Sequence, residues 1–398
     1  MLHRTIKLVY LVADARYFCT HRLPLAVEAK SHGFDVHVIC PSDHTPHTTP
    51  SHSQQNESIN AILKAGITLH NLPFNRRSLN PLMALCTIYK IACLYRCIKP
   101  DIAHHVAIKP VLFGTIAARF SDVPHIINAV AGLGHVFASK SWLLRPLRLM
   151  MRFLLRSQRV TTIVQNPEDQ VELEALTRKP IHLILGAGVD TALFSPIKQK
   201  MPSETEALVI THASRLLWSK GVGELVEATK ILRNQGYAIK TQIVGMPDDQ
   251  NPDTIPTSTL QAWHDEGIIS WLGYQQNMAP IYQNTDIAVL ASYYREGIPK
   301  TLIEAASVGL PIVTTDMPGC RIIVNHQKNG ILIPPRNTTA LTDALKILII
   351  QADLRHLYGK KGRDRVIEEF SSQIIYKKTI AVYERVMTTE SIQMTSKP

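Results

Sequence analysis

Short apolar runs of buried-strand length alternate with helix-spaced segments along nearly the whole chain, and the series occurs twice. The first opens with Ile6-Lys-Leu-Val-Tyr-Leu-Val12, a helical segment over 23–32 closed by Gly33, and Val36-His-Val-Ile39. Further strand-like runs follow at 67–72, 102–105, 125–128 and 161–165. The second series begins after Gly186-Ala-Gly-Val-Asp190, with strand runs at 208–213, 239–244, 268–272, 287–290 and 311–315. Helical spacing fills the gaps, as over 223–235 with Gly236 past its end. Strands apolar on both faces and linked by helices belong in parallel sheets covered on both sides. One core does not grow across 398 residues. The expected fold class is therefore α/β, with two Rossmann-like parallel-sheet domains facing a central cleft. The expected bounds are 1–188 and 189–370, then a helix over 371–388 packing back on the first domain and a frayed tail over 389–398.

Composition narrows the class. With 45% apolar and 19% charged residues, collagen-like, coiled-coil and disordered chains are excluded. The six cysteines are scattered, and Cys93-x3-Cys97 has no second pair at zinc-ligand spacing, so reduced core thiols are expected. The polar stretch over 42–58, with Pro46, Pro50, His44, His47 and His52, reads as a surface loop. Residues 1–10 lack the apolar core and cleavage site of a signal peptide. No run reaches about 18 uncharged apolar residues, so no membrane-spanning helix is expected. A cytoplasmic enzyme fits these features.

The formal charge of +11 is unevenly placed. Up to Gly188 there are 21 Lys and Arg against 11 Asp and Glu, whereas the remainder is nearly balanced. The densest stretch runs over 140–159. It carries Lys140, Arg145, Arg148, Arg152, Arg156 and Arg159, with Trp142, leucines, methionines and Phe153 between them and no acid. On a helix this is a basic stripe beside an apolar face, which suits an anionic membrane surface, the alternative being an ordinary core helix with solvated arginines. Nucleic acid is not expected, because these cations are not set in a recognisable nucleic-acid-binding fold.

Chemistry concentrates in the second half. Glu296 and Glu304 stand eight apart in Glu296-Gly-Ile-Pro-Lys-Thr-Leu-Ile-Glu304. Pro299 suits the first turn of a helix, where its missing N–H costs nothing. Glu296 then lies on the loop leading in and Glu304 inside the helix, and the free N–H groups near Lys300 and Thr301 favour an anion. The order carboxylate, anion site, carboxylate suits a phosphate flanked by two hydroxyl-bearing sugars. Arg215 and Lys220, in Ala213-Ser-Arg-Leu-Leu-Trp-Ser-Lys-Gly221, follow a strand at the end where open α/β sheets bind ligands. A guanidinium fork and an ammonium there would neutralise a departing diphosphate.

These segments, with Ile243-Val-Gly-Met-Pro-Asp248, Trp271-Leu-Gly-Tyr274, Thr314-Thr-Asp-Met-Pro-Gly-Cys320 and Asn329-Gly330, resemble the retaining glycosyltransferases of family 4, which have the GT-B fold. Asn251-Pro252, Trp263, Tyr293-Tyr-Arg-Glu296 and Gln165-Asn-Pro-Glu-Asp169 are similar to the branch that adds an N-acetylhexosamine or hexose to polyprenyl-diphosphate-linked sugars. The resemblance spans about residues 5–385 and is most specific in the second half. It implies a UDP-sugar donor. Glu304 would hold ribose hydroxyls; Glu296, Gly297 and Ile298 would hold the transferred sugar. Thr301, Arg215 and Lys220 would meet the phosphates, while Gly273 and Tyr274 would frame the base. It further implies that His105, Lys109 and Asn166 face the lipid-linked acceptor, with a looser implication for Arg16, Thr20, His21 and Arg22. The family's donor-contacting histidine is Ala131 here; His135, grouped with the acceptor residues, would replace it or else is an ordinary core or loop histidine.

The implied reaction retains the anomeric configuration, with the acceptor hydroxyl attacking on the face the diphosphate leaves. The chain has no Asp-x-Asp, so no metal or other cofactor is expected. The basic stretch over 140–159 would hold the enzyme at the inner face of the plasma membrane. A soluble acceptor is the main alternative. A nucleotide-sugar 2-epimerase and a non-catalytic binding protein share the architecture, but neither calls for Arg215 and Lys220 together with the glutamate pair.

Overall fold

The computed structural model describes residues 4–42, 50–73, 80–130, 132–133, 145–196, 207–248, 251–294 and 297–395, without the side chains of 50–54 and 389–395. The chain forms two compact units, one of Met1–Ala187 with Ile375–Pro398 and one of Gly188–Ile374.

In the first unit, β1 (Lys7–Leu11), β2 (Asp35–Cys40), β3 (Thr68–Asn71), β4 (Ile102–Val106), β5 (His125–Val130), β6 (Val160–Val164) and β7 (His182–Leu183) form one parallel sheet. The order is 3-2-1-4-5-6-7. Its described helices are α1 (Ala15–His21), α2 (Leu23–Ser31), α3 (Pro50–Lys64), α4 (Pro81–Ile98), α5 (Ile108–Phe120), α6 (Arg145–Leu155) and α7 (Pro167–Thr177). Strand β1 shows why the sheet is covered twice. Leu8 and Tyr10 enter one core with residues of α1 to α3, and Val9 and Leu11 enter another with residues of α4 to α6.

The second unit repeats the plan with β8 (Leu208–Ala213), β9 (Ile239–Val244), β10 (Ser270–Trp271), β11 (Ile287–Leu290), β12 (Ile312–Thr315) and β13 (Gly330–Ile333). They are parallel, in the order 10-9-8-11-12-13. Its helices are α8 (Val222–Asn234), α9 (Thr257–Asp265), α10 (Ala279–Gln283), α11 (Lys300–Val308), α12 (Pro318–Ile323), α13 (Thr338–Ile350) and α14 (Ala352–Glu369). Each sheet reverses direction beside its first strand, between β1 and β4 and between β8 and β11. Ligands of open α/β sheets bind outside the carboxyl ends at such reversals.

Three expectations change. The polar stretch is helical from Pro50 on, because proline fits a first turn and Ile59 and Ile62 supply a buried face. His44 and His47 lie outside the described residues. Cys86, Cys93 and Cys97 are exposed rather than core thiols, since the spacing of α4 turns Ile91, Ala92, Tyr95 and Ile98 inward instead. That helix is long and apolar enough to cross a membrane by length and composition, with a mean hydropathy of 1.4. The final helix, α15 (Ser372–Thr395), runs past residue 388.

From Ile375 onward α15 belongs to the first unit, fastened through a buried polar contact. The Tyr383 hydroxyl lies 2.9 Å from the Tyr10 hydroxyl and 2.6 Å from His104 Nδ1. Burial pushes both phenols up and the imidazole down, so all three are neutral near pH 7. Tyr383→Phe leaves two buried groups short of a partner and should cost about 1–3 kcal/mol. Urea unfolding should show a lower midpoint at unchanged slope; an unshifted midpoint would refute the fastening role.

Candidate active site

The loop leaving β8 carries the two cations. It turns through a short 3-10 segment, Trp218–Lys220, held by Asp253. The Asp253 carbonyl accepts from Trp218 N at 2.9 Å and its carboxylate from Ser219 N at 3.0 Å. Gly221 follows at φ +76°, and a Cβ there would stand 2.2 Å from the Ala291 carbonyl oxygen. Only glycine lets this turn press against the chain leaving β11. The result buries Lys220, whose ammonium sits 5.4 Å from the centre of the Tyr294 ring. Neighbouring His212 is pushed down to about 3 by burial and by the Lys220 charge, so it adds no positive charge of its own. Arg215 is more open and pairs with Asp248 at 3.1 Å.

The loops after β9 and β10 close onto the same end of the sheet. Gly245, at φ +134°, passes so near the Ser214 carbonyl that a Cβ would lie 1.9 Å from its oxygen. Gly245 N donates to the Gly273 carbonyl at 2.8 Å, and Trp271 Nε1 donates to the Gly245 carbonyl at 3.0 Å. Tyr274 extends from this backbone platform half exposed.

After β11 the chain reaches the second element. Arg295 and Glu296 lie outside the described residues. Gly297, Ile298 and Pro299 are buried, and Pro299 opens α11 with no side-chain cap. First-turn N–H groups without a side-chain cap are donors of the kind an anion can use. Glu304, 7% exposed, faces Lys300 Nζ at 3.3 Å. Burial raises its carboxyl above the usual range, and Lys300 works against that shift. Thr301 lies within hydrogen-bonding reach of buried Tyr282. On the two sides of the β8/β11 reversal, the loop after β8 thus carries Arg215 and Lys220, and α11 carries Thr301 and Glu304.

In the first unit the corresponding reversal forms a cavity of about 240 Å³. Ala13, Asp14 and Tyr17 line it from beyond β1, and Val106, Ala107, Lys109 and Pro110 from the end of β4. Lys109 is among the residues the resemblance implied, and partial burial lowers its ammonium. Ala107 holds φ +76°, a left-handed conformation unusual for alanine, where β4 passes into α5.

Two implied acceptor residues are elsewhere. His105 is fully buried, with Nε2 2.9 Å from the Tyr95 hydroxyl and Nδ1 2.8 Å from Asn128 Oδ1. Burial pushes it down to about 4, and both ring nitrogens are engaged within the core. Asn166 is the buried N-cap of α7, its side chain accepting from Asp169 N at 2.7 Å and donating to Asp169 Oδ2 at 2.9 Å. Arg16, Thr20, His21 and Arg22 do not line the cavity, and Arg22 is buried. Ala131 and His135 lie outside the described residues. Sequence reasoning missed Asp14 and Tyr17, though an aspartate just after a strand signals the N-cap that Asp14 makes by accepting from Arg16 N at 2.8 Å. It also missed Lys300 as the counter-ion of Glu304, for which the four-residue spacing was the signal.

Two sequence profiles match the chain: "Glycosyl transferase 4-like" over residues 7–166, and "Glycosyl transferases group 1" over 194–365. The second covers both loops of the β8/β11 reversal. The chain belongs to the group 1 glycosyltransferases. This glycosyltransferase is 25% identical to the N,N'-diacetylbacillosaminyl-diphospho-undecaprenol alpha-1,3-N-acetylgalactosaminyltransferase of Campylobacter jejuni, over 92% of this chain and 95% of that one. It is 23% identical to the UDP-Gal:alpha-D-GlcNAc-diphosphoundecaprenol alpha-1,3-galactosyltransferase of Escherichia coli, over 85% and 86% of the two chains. Its fold matches that of Anabaena HepE, solved with UDP and glucose, at a TM-score of 0.74 and 15% identity, covering 95% and 99%. With such neighbours the two parallel sheets are those of the GT-B fold.

The glycine platform allows a graded test. Gly245→Ala forces a methyl into backbone, whereas a Cβ at Gly273 meets nothing nearer than Met246 Sδ at 3.9 Å. Gly273→Ala should therefore cost only the left-handed backbone penalty of about 1–2 kcal/mol, and Gly245→Ala clearly more. Equal losses in urea unfolding would contradict the close approach.

Proposed function

We propose that this glycosyltransferase moves an N-acetylhexosamine or hexose from a UDP-sugar to a saccharide carried on polyprenyl diphosphate, with retention at the anomeric carbon. The observation that carries this is the placement of Arg215 and Lys220 after β8, and Thr301 and Glu304 after β11, on both sides of one sheet reversal. The acceptors named for the Campylobacter and Escherichia relatives, and the UDP and glucose bound to HepE, support the substrate classes. The product would enter a surface glycan such as a capsule or O-antigen, a role in keeping with the Staphylococcus aureus relative named as a capsular polysaccharide glycosyltransferase.

Each residue then has a task. Glu304 accepts from the ribose hydroxyls, and Gly273 and Tyr274 border the base. The first turn of α11 and Thr301 meet the diphosphate, and Glu296 with Gly297 and Ile298 holds hydroxyls of the sugar. As the bond from the anomeric carbon to the diphosphate oxygen breaks, Arg215 and Lys220 take up the charge left on the diphosphate. The acceptor oxygen bonds to the same face of that carbon and passes its proton to the departing phosphate oxygen. Asp248 releases Arg215 for this step. The cavity beside Lys109 receives the acceptor, with His105 and Asn166 positioning the ends of β4 and β6 from within the core. The basic helix α6 holds the enzyme peripherally on the inner face of the plasma membrane.

The direct test presents UDP-sugars, with EDTA, and either a polyprenyl-diphosphate sugar or a soluble glycoside. Extension of the lipid-linked acceptor alone is expected, and Lys220→Ala should lower kcat on the order of a hundredfold or more. Extension of only the glycoside would replace the acceptor assignment; donor turnover with neither extended would favour an epimerase. Loss of transfer in EDTA that magnesium restores would refute charge neutralisation by the two cations alone.

A pH experiment addresses Glu304. Its carboxylate must be ionised to accept from both hydroxyls, and its raised pKa means that donor affinity falls as pH drops through that value. Lys300→Met removes the opposing charge, so the acid limb of UDP affinity should move to higher pH. Calorimetry across the acidic range reads this out; an unmoved limb would remove Glu304 from the nucleotide site.

A further inference from the structure

Helix α4 presents an apolar face that the first unit does not cover. Leu82, Leu85 and Tyr89 are 74%, 63% and 65% exposed, and Cys86 and Cys93 are exposed as well. Their three- and four-residue steps set them in one stripe down the helix. The opposite face is fixed, because Ile91, Ala92, Tyr95 and Ile98 belong to the core shared with α5 and α6. A helix apolar enough to cross a bilayer is therefore held sideways, and crossing would dismantle that core.

The neighbouring helices α5 and α6 carry exposed aromatic side chains as well. Arg96, near the end of α4, donates to the Phe120 carbonyl at 3.0 Å. Arg119 donates to the Phe153 and Leu154 carbonyls at 3.1 and 2.9 Å, and its guanidinium sits 5.0 Å from the Phe153 ring centre. Phe120 and Phe153 themselves are exposed. Helices α4, α5 and α6 contain no aspartate or glutamate, but carry Lys90, Arg96, Lys109, Arg119, Arg145, Arg148 and Arg152.

We propose that α4 is a membrane-insertion helix, lying in the plane of an anionic bilayer with Leu82, Leu85 and Tyr89 among the acyl chains. The proposal rests on the membrane-associated reading above and assigns the apolar contact to an element that reading did not use. Charge selects the occupant. A second copy of the chain would bring cations against cations, whereas an anionic leaflet offers phosphates to the arginines and hydrocarbon to the stripe. Binding at such a surface requires both parts.

The native thiols report directly. Cys86, Cys93 and Cys97 are exposed, while Cys40 and Cys320 are buried. Adding phosphatidylcholine–phosphatidylglycerol vesicles to the full-length protein should slow reaction of the α4 thiols with a water-soluble reagent by about tenfold or more. Phosphatidylcholine alone should do much less. The triple variant Leu82→Glu, Leu85→Glu, Tyr89→Glu should lose cosedimentation by about tenfold or more, with an unchanged melting temperature and intact transfer to a detergent-dispersed acceptor. A parallel variant reversing Arg145, Arg152 and Arg156 tests the underlying reading. If it releases the protein while the α4 variant binds fully and the thiols stay reactive, α4 is excluded and membrane association stands. If neither variant matters, or wild type ignores the vesicles, both fall. Thiol protection that depends on protein concentration without vesicles would assign the stripe to a second copy and overturn the proposal.

Discussion

A parallel strand with apolar residues on both faces must be covered on both, and much of this structure follows from that requirement. Val9 and Leu11 point away from Leu8 and Tyr10 into separate cores, so the helices after β1 must divide between the two sides of the sheet. Covering both sides makes the strand order reverse beside the first strand. At the reversal, consecutive loops diverge at the carboxyl ends and leave a recess. In the first unit the recess is the cavity beside Lys109; in the second, the loop after β8 carries Arg215 and Lys220, and α11, after β11, carries Glu304.

The charges on these second-unit elements already have partners. Lys220 sits against an aromatic ring, Arg215 against Asp248 and Glu304 against Lys300. A buried charge without a partner is costly, and Lys220 and Glu304, both buried, each stand against such a neighbour. Backbone does the rest of the shaping. Gly221 and Gly245 allow chain-to-chain approaches that no other residue would permit, and these set the depth of the two cationic loops relative to the sheet.

The first unit carries a different division of labour. Its inner polar groups, His105 with Tyr95 and Asn128, and Asn166 with Asp169, are spent on holding strand and helix ends. On α4, α5 and α6, exposed apolar side chains lie on helices that carry cations and no acid. The same helices thus seal the core on one side and present exposed apolar side chains on the other.

By itself, the sequence determined the two α/β halves, the family and the donor-side cations and carboxylates, because each is written in local periodicity or in motifs confined to one loop. It determined the positions of Lys220 and Glu304 after their strands as well, since a loop's place in a parallel sheet follows from chain order. Tertiary structure alone decided which face of an element is covered. The spacing of Cys86, Cys93 and Cys97 is compatible with core or surface, and only the packing of α5 against Ile91 and Tyr95 turned the thiols outward. His105 and Asn166 stand at strand ends where a ligand contact was reasonable, but their side-chain directions depend on Tyr95, Asn128 and Asp169, partners that local periodicity does not choose. Burial and pairing are sums over distant segments, and so they become legible only once the chain has folded.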